Sequence, residues 1–132
     1  HHGPVEMVDF YRTLGELCGL EVPGTVSGLS LAAALRDPDV RIRKSALTQY
    51  SNGYSLRTDR YRYTEWGQDG AGGAELYDRT KDPGEMVNLA GTIAVKATQA
   101  ELSKMLRQRV ALALEKPKGL MQVRFSNRRR VR

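Results

Sequence analysis

S-A-L-T-Q-Y-S-N-G-Y-S-L-R-T-D-R-Y-R-Y-T-E-W-G-Q-D-G-A-G-G-A-E-L-Y-D, residues 45–78, is the stretch that decides the fold. Four short segments rich in β-branched and aromatic residues are separated by turn chemistry, the signature of an antiparallel meander. Asn52-Gly53 is the strongest turn, because both residues accept the positive φ of a two-residue type I′ hairpin. Asp59-Arg60 offers a second turn, and the glycine-rich run from Gly67 to Gly73 a looser third connection. With Asn52-Gly53 as the loop, Ser51 pairs with Tyr54, Gln49 with Leu56 and Leu47 with Thr58. With Asp59-Arg60 as the next, Thr58 pairs with Tyr61 and Leu56 with Tyr63. Leu47, Tyr54, Leu56, Tyr61 and Tyr63 then share one face, and Thr48, Arg57, Arg62 and Thr64 the other. A slip of one residue would destroy this agreement.

The flanking segments supply helices. From Pro4 to Cys18, the residues Met7, Phe10, Tyr11, Leu14, Leu17 and Cys18 recur at three- and four-residue spacing, which makes one apolar stripe. Pro4 suits a first turn, and Gly19 the left-handed position past the end. A connector punctuated by Pro23, Gly24 and Gly28 leads to a short helix over Leu29–Leu35, which Asp37-Pro38 stops. After the sheet, Asp82-Pro83 opens a turn that sets Glu85 and Asn88 one helical turn apart. A longer helix is expected over 92–114, with Thr92 as its N-cap. Leu102, Met105, Leu106, Val110 and Ala113 form its stripe, suited to one sheet face. The expected class is α+β: a four-stranded antiparallel meander covered by a C-terminal helix and preceded by an N-terminal helix. The chain divides into residues 1–44 (helix and connector), 45–115 (sheet and covering helix) and 116–132 (tail).

Length and charge narrow the function classes. A chain of 132 residues is one domain or part of something larger. It holds no run of about eighteen apolar residues, so no helical membrane span is expected. The opening residues do not read as a signal peptide. From Lys116 onward there are seven Lys or Arg and no acid; the remaining fourteen bases and fifteen acids leave the body near neutral. Two readings fit this tail. Leu120, Met121, Val123, Phe125 and Val131 suit docking onto a protein surface, while Arg128-Arg129-Arg130 suit nucleic acid or another polyanion.

Catalytic chemistry is scarce. Beyond His1 and His2 there is no histidine, which removes the commonest general base, metal ligand and nucleophile partner. Cys18 falls on the apolar stripe and is expected to be a small buried hydrophobe with an inert thiol. No calcium-loop or zinc spacing is present. The glycines at 67, 70, 72 and 73 lie between two strands, so they do not make a phosphate loop. By its own residues the chain is not expected to be an enzyme, and it needs no metal or cofactor.

Two features of the sheet invite a binding role. Arg57 faces Arg62, and like charges across strands cost about 0.2–1 kcal/mol unless something anionic intervenes. Glu75 or Asp78 on the next strand would serve; so would a sulfated or phosphorylated ligand. Trp66 with Tyr61 and Tyr63 would make a stacking platform, although the place of both tyrosines on the apolar face favours packing.

Six segments in order carry a family resemblance. They are V-E-M-V-D-F-Y-R-T-L-G-E-L-C-G-L from Val5, V-P from Val22, G-L-S-L-A-A-A-L-R-D-P from Gly28, Q-Y at Gln49-Tyr50, G-Y-S-L-R-T-D-R-Y-R-Y-T-E-W from Gly53, and A-E-L-Y-D-R-T-K-D-P-G-E-M-V-N-L-A from Ala74. Over roughly residues 4–115 the chain resembles the C-terminal part of type I sulfatases of the alkaline-phosphatase superfamily, most closely the iduronate-2-sulfatase-like branch. The resemblance implies a subdomain packed on a large α/β catalytic domain, which lies upstream of His1 and hydrolyses the sulfate esters of a small molecule or glycan. That domain uses a formylglycine, made in a C/S-x-P-x-R motif, beside a calcium ion. Cys18-Gly19-Leu20-Glu21-Val22 does not match the motif, so no catalytic residue carries over. An extracytoplasmic compartment is implied, and no membrane.

Two departures stand out. Arg12 replaces the proline of a Y-P-T-L segment, and the loop after Gln49-Tyr50, long in iduronate-type members, is very short. Gln49, Tyr50, Ser51 and Asn52 are the candidates for the rim of the substrate cleft. The stripe of Met7, Phe10, Leu14 and Leu17, left without its neighbour, predicts self-association. The rival reading is a stand-alone polyanion-binding module working through the tail.

Overall fold

In a computed structural model that describes residues 3–115, the decisive stretch forms four strands. They are β1 (Ala46–Tyr50), β2 (Gly53–Arg57), β3 (Tyr61–Trp66) and β4 (Ala74–Asp78), paired antiparallel in chain order. The β2–β3 register is the one the Asp59-Arg60 turn demands, with Leu56 opposite Tyr63 and Arg57 opposite Arg62. The β1–β2 register differs from expectation. Leu47 faces Leu56 and Tyr50 faces Gly53, so the loop is Ser51-Asn52, with Ser51 at φ 52°.

The reason lies across the sheet. A Cβ on Gly53 would stand 2.4 Å from the ring of Trp66, its partner on β3. Glycine is needed here for the ring above it, and not for a turn conformation, so it belongs to the strand. The two faces survive the change because the pairing moves by two residues, which is the side-chain repeat of a strand.

Helix α3 (Lys96–Leu114) covers one face. Leu56, Tyr63 and Leu76 from the sheet meet Leu102 and Leu106 from the helix, with Leu47, Tyr54, Tyr61, Met105 and Val110 packed around them. Each fully buried leucine contributes on the order of 1.5–3 kcal/mol. Ala113, the last expected member of the stripe, is exposed. Thr92 is not the cap of α3. Its hydroxyl donates back to the Leu89 carbonyl (2.9 Å), and a 3-10 turn over Ile93–Val95 precedes the helix.

Residues 82–90 are not helical, since Glu85 takes φ 56°. Asn88 instead imitates a fifth strand. Its Oδ1 accepts from Leu76 N–H (2.9 Å), its Nδ2 donates to the Ala74 carbonyl (3.2 Å), and Leu89 N–H donates to the Leu76 carbonyl (2.8 Å). The outer edge of β4 is blunted in this way.

Helices α1 (Asp9–Leu17) and α2 (Ala32–Arg36) precede the sheet. Gly19 ends α1 at φ 66°, as expected. The stripe of α1, however, faces outward: Met7 is 78% exposed and Leu14 61%. Cys18 is exposed with it, which corrects the expectation of a buried thiol. What α1 buries is Asp9, Thr13 and Gly15.

A polar clasp explains this orientation. Asp9 Oδ2 accepts from Glu6 N–H (2.8 Å); its Oδ1 accepts from Leu29 N–H (2.9 Å) and from the Arg43 guanidinium. Glu6 accepts from Arg43 (2.7 Å), from Leu47 N–H on β1 (2.7 Å) and from Arg109 on α3 (2.6 Å). Thr13 Oγ1 donates to the Asp9 carbonyl (2.7 Å) and accepts from Leu31 N–H (2.9 Å). Arg12 closes the connector by donating to the Val26 carbonyl (2.8 Å).

Candidate functional site

The sheet face opposite α3 is polar, and the alternation of the strands puts it there. Thr48, Ser55, Thr64 and Glu75 stand in one row across the four strands, flanked by Arg57, Arg62 and Tyr77. A cleft of about 300 Å³ opens over the row, lined by Thr48, Tyr50, Arg62, Glu75, Tyr77 and Glu85 among others. At its end lies the β1–β2 tip. Gln49, Tyr50, Ser51 and Asn52 are all exposed there, Tyr50 by 77%. Gly67 N–H donates to the Asn52 carbonyl (3.0 Å) and ties the tip to the β3–β4 loop.

Arg57 and Arg62 are side by side, as expected, but neither expected carboxylate lies between them. Glu75 is occupied by the Trp66 indole N–H (2.9 Å) and the Tyr77 hydroxyl (3.2 Å). Burial, followed by the charge of Glu75, pushes the Tyr77 phenol up. Asp78 takes a two-pronged grip from Arg60 (Nη2 at 2.7 Å) and a bond from the Thr80 hydroxyl (2.7 Å). Those bonds hold its carboxyl well below the usual carboxylate range. The counter-charge is Glu85, whose Oε1 stands 3.1 Å from Arg62 Nε and 2.7 Å from Arg79 Nε. Trp66 lies on this polar face, whereas Tyr61 and Tyr63 pack against the core, so the three rings do not form one platform.

A second polar cluster lies within the α3 interface. Glu65 is buried there and accepts from the Tyr63 hydroxyl (2.9 Å), Ser103 Oγ (2.5 Å) and Arg107 Nε (3.3 Å). Burial first, and then Glu65, raises the Tyr63 phenol above its ordinary value; Glu65 likewise raises Arg107. Sequence reasoning passed over Glu65, although continuing the strand alternation from Tyr63 would have placed this carboxylate on the core side. Nothing in the local pattern signalled Glu85, or the pairing of Glu6 and Asp9 with Arg43 and Arg109.

Neither group implied by the family resemblance fits the residues present. Among the described residues, no cluster of three or more His, Cys, Asp or Glu side chains is placed to hold a metal ion. The chain also contains no C/S-x-P-x-R sequence. No helix of the described residues is long and apolar enough to cross a membrane. The basic tail, residues 116–132, lies outside the described residues.

Comparison with known proteins supplies the family. A family model described as N-sulphoglucosamine sulphohydrolase, C-terminal, matches residues 2–111. A sulfatase of Formosa agariphila is 33% identical over 104 residues, covering 78% of this chain and 20% of that protein. A delta 4,5-hexuronate-2-O-sulfatase of Bacteroides thetaiotaomicron is 35% identical over 92 residues, covering 63% of this chain and 19% of its own length. Among solved structures, a 2-O GAG sulfatase superposes with a TM-score of 0.68 at 30% identity, covering 86% of this chain and 26% of that one. The chain thus spans about a fifth of the length of the curated relatives it matches. With the meander, its covering helix and the matched residues in agreement, the chain belongs to the C-terminal family of sulfatases.

Proposed function

We propose that the chain is the C-terminal portion of a hydrolase of sulfated saccharides, and that it completes the enzyme's fold and shapes one side of the substrate cleft. On this reading residues 1–44 are the link from a catalytic domain, 45–115 the subdomain proper and 116–132 a basic tail. The formylglycine and calcium chemistry is assigned to the catalytic domain: the sequence holds no C/S-x-P-x-R motif, and among the described residues no side-chain cluster is placed to hold the ion. The observation that carries the reading is the outward apolar stripe of α1. An apolar face of that extent, rimmed by polar residues, marks a surface built to be covered.

Gln49, Tyr50, Ser51 and Asn52 are assigned to the cleft rim. They stand together at an exposed tip that the Asn52–Gly67 bond holds in place. The test has two arms. The 132-residue chain alone should not release sulfate from an aryl sulfate or a sulfated disaccharide, and turnover by it would end the proposal. In the longer enzyme, Tyr50→Ala and Asn52→Ala should raise KM with kcat little changed; an unchanged KM would remove the tip from the cleft.

A further inference from the structure

The two edges of the sheet differ. Asn88 and Leu89 occupy the outer edge of β4, whereas among the described residues the outer edge of β1 is met at Leu47 only. Leu47 N–H donates to Glu6, away from β2, and strand alternation turns the backbone of Gln49 to the same side. Gln49 N–H meets no acceptor among the described residues, and Thr48, Gln49 and Tyr50 are exposed. An open edge of this kind is a template for one more strand.

Helix α3 delivers the rest of the chain to that edge. Leu112, Ala113 and, just past the helix end, Glu115 line a groove of about 440 Å³ together with Leu47 of β1 and with Val8 and Leu29 from the α1 side. The groove also holds Glu6, Arg43 and Arg109, which are paired with one another in the clasp. Val8, Leu29 and Leu112 are all exposed, so the apolar part of the groove is uncovered. Leu47 shares its face with Leu56, and the groove therefore continues the face that α3 covers, outward past β1.

The sequence beyond Glu115 has the pattern this place requires. Residues 116–120 include Pro117 and Gly119, which stop a helix and let the chain turn. A connection of this length is ordinary between a helix and a strand. In Met121-Gln122-Val123-Arg124-Phe125 apolar and polar residues alternate strictly, as in a strand with one face buried. A strand beside β1 needs apolar side chains toward the groove and polar ones on the face of Thr48 and Tyr50.

We propose that residues 121–125 return beside β1 as a fifth strand, with Met121, Val123 and Phe125 over the groove between α3 and α1 and Gln49 N–H bonded to the returning backbone. The occupant is this chain's own tail because Glu115, from which it departs, already lines the groove. Closure then costs a short loop, whereas a second copy has to be recruited from solution. The pairing uses the backbone of β1 and leaves the tip at Ser51-Asn52 open.

Amide hydrogen exchange of the 132-residue chain, read residue by residue by NMR at a concentration where it is monomeric, tests the strand. Gln49 N–H should exchange about tenfold or more slower than an unstructured amide. Val123→Pro sets a ring in the middle of the segment and removes a donor, and should return Gln49 to the open rate. Thr48 N–H, which faces β2, should stay protected in both proteins and reports that the sheet itself is intact. Gln122→Thr, on the polar side of the segment, should leave the protection of Gln49 unchanged. Gln49 exchanging at the open rate in the unmodified chain overturns the fifth strand and leaves the tail for a polyanion. Protection that survives Val123→Pro, or that appears only as the concentration rises, overturns it too; the latter result would give the edge to a second copy.

Discussion

Helices α1 and α3 carry the same kind of apolar stripe and turn it in opposite directions. α3 lays Leu102 and Leu106 on Leu56, Tyr63 and Leu76, and its other side meets water. α1 buries Asp9 and Thr13 and leaves Met7, Phe10, Leu14 and Leu17 outside. Helical periodicity reports that a seam exists; it does not report which side of the helix the rest of the chain occupies. That is decided by what is available to pack. The sheet has one apolar face and α3 takes it, so α1 is held by charge through Arg43 and Arg109. A buried ion cluster of this kind adds little net stability, but it fixes orientation because every alternative leaves a charge unpaired.

The largest expected effect comes from breaking that cluster. Asp9→Ala leaves Arg43, whose side chain is 6% exposed, buried beside one acid where two had paired with it, and should cost about 3–5 kcal/mol in denaturant unfolding. A cost below about 1 kcal/mol would mean that α1 is not held by charge. The matching change on the other helix is Leu106→Ala. It empties the centre of the α3–sheet interface and should cost about 2–5 kcal/mol. Asp9→Ala should also release the α1 segment to proteolysis while leaving the sheet intact, whereas Leu106→Ala should loosen both.

The sheet was legible because its evidence was redundant. Alternation and two separate turns agreed on which residues share a face, and that agreement tolerates a pairing change of two residues. The β1–β2 loop was misplaced because the constraint on Gly53 is not local. A turn rule sees Asn52-Gly53; only the fold brings Trp66 over the glycine. Gly53→Ala should therefore cost about 1–3 kcal/mol through overpacking. Adding Trp66→Leu should recover part of it, which a turn-based cost would not allow.

Cys18 was misread for the same reason as the rest of the α1 stripe: burial was inferred from periodicity alone. At the candidate site, the Arg57–Arg62 adjacency followed from register. Glu85 did not, because it reaches the sheet from an irregular segment at positive φ, where no spacing rule applies.

Charge also secures the sheet unit at one point, and pH sharpens the contrast there. Arg60 and Thr80 hold the Asp78 carboxyl below its usual value of 3.8. Its contribution is present above that value and is lost as pH falls below it toward the depressed one. The difference in unfolding midpoint between the protein and Asp78→Asn should hence be largest near neutrality and shrink below about pH 4. A difference that does not change with pH would mean that Asp78 acts through its hydrogen bonds alone.

The smallest effect on stability is expected where the apolar side chains are most prominent. Phe10→Gln with Leu14→Gln removes two large exposed groups that nothing in the described chain covers, so the unfolding free energy of the monomer should move by no more than about 0.5 kcal/mol. The same pair should abolish the concentration-dependent self-association that sedimentation of the unmodified chain is expected to show, since the stripe is the surface two copies would share. If the double variant instead loses as much stability as Leu106→Ala, the stripe is packed within the chain. In that case the two helices do not differ in how they are held, and the outward face of α1 could no longer be read as the seat of a catalytic domain.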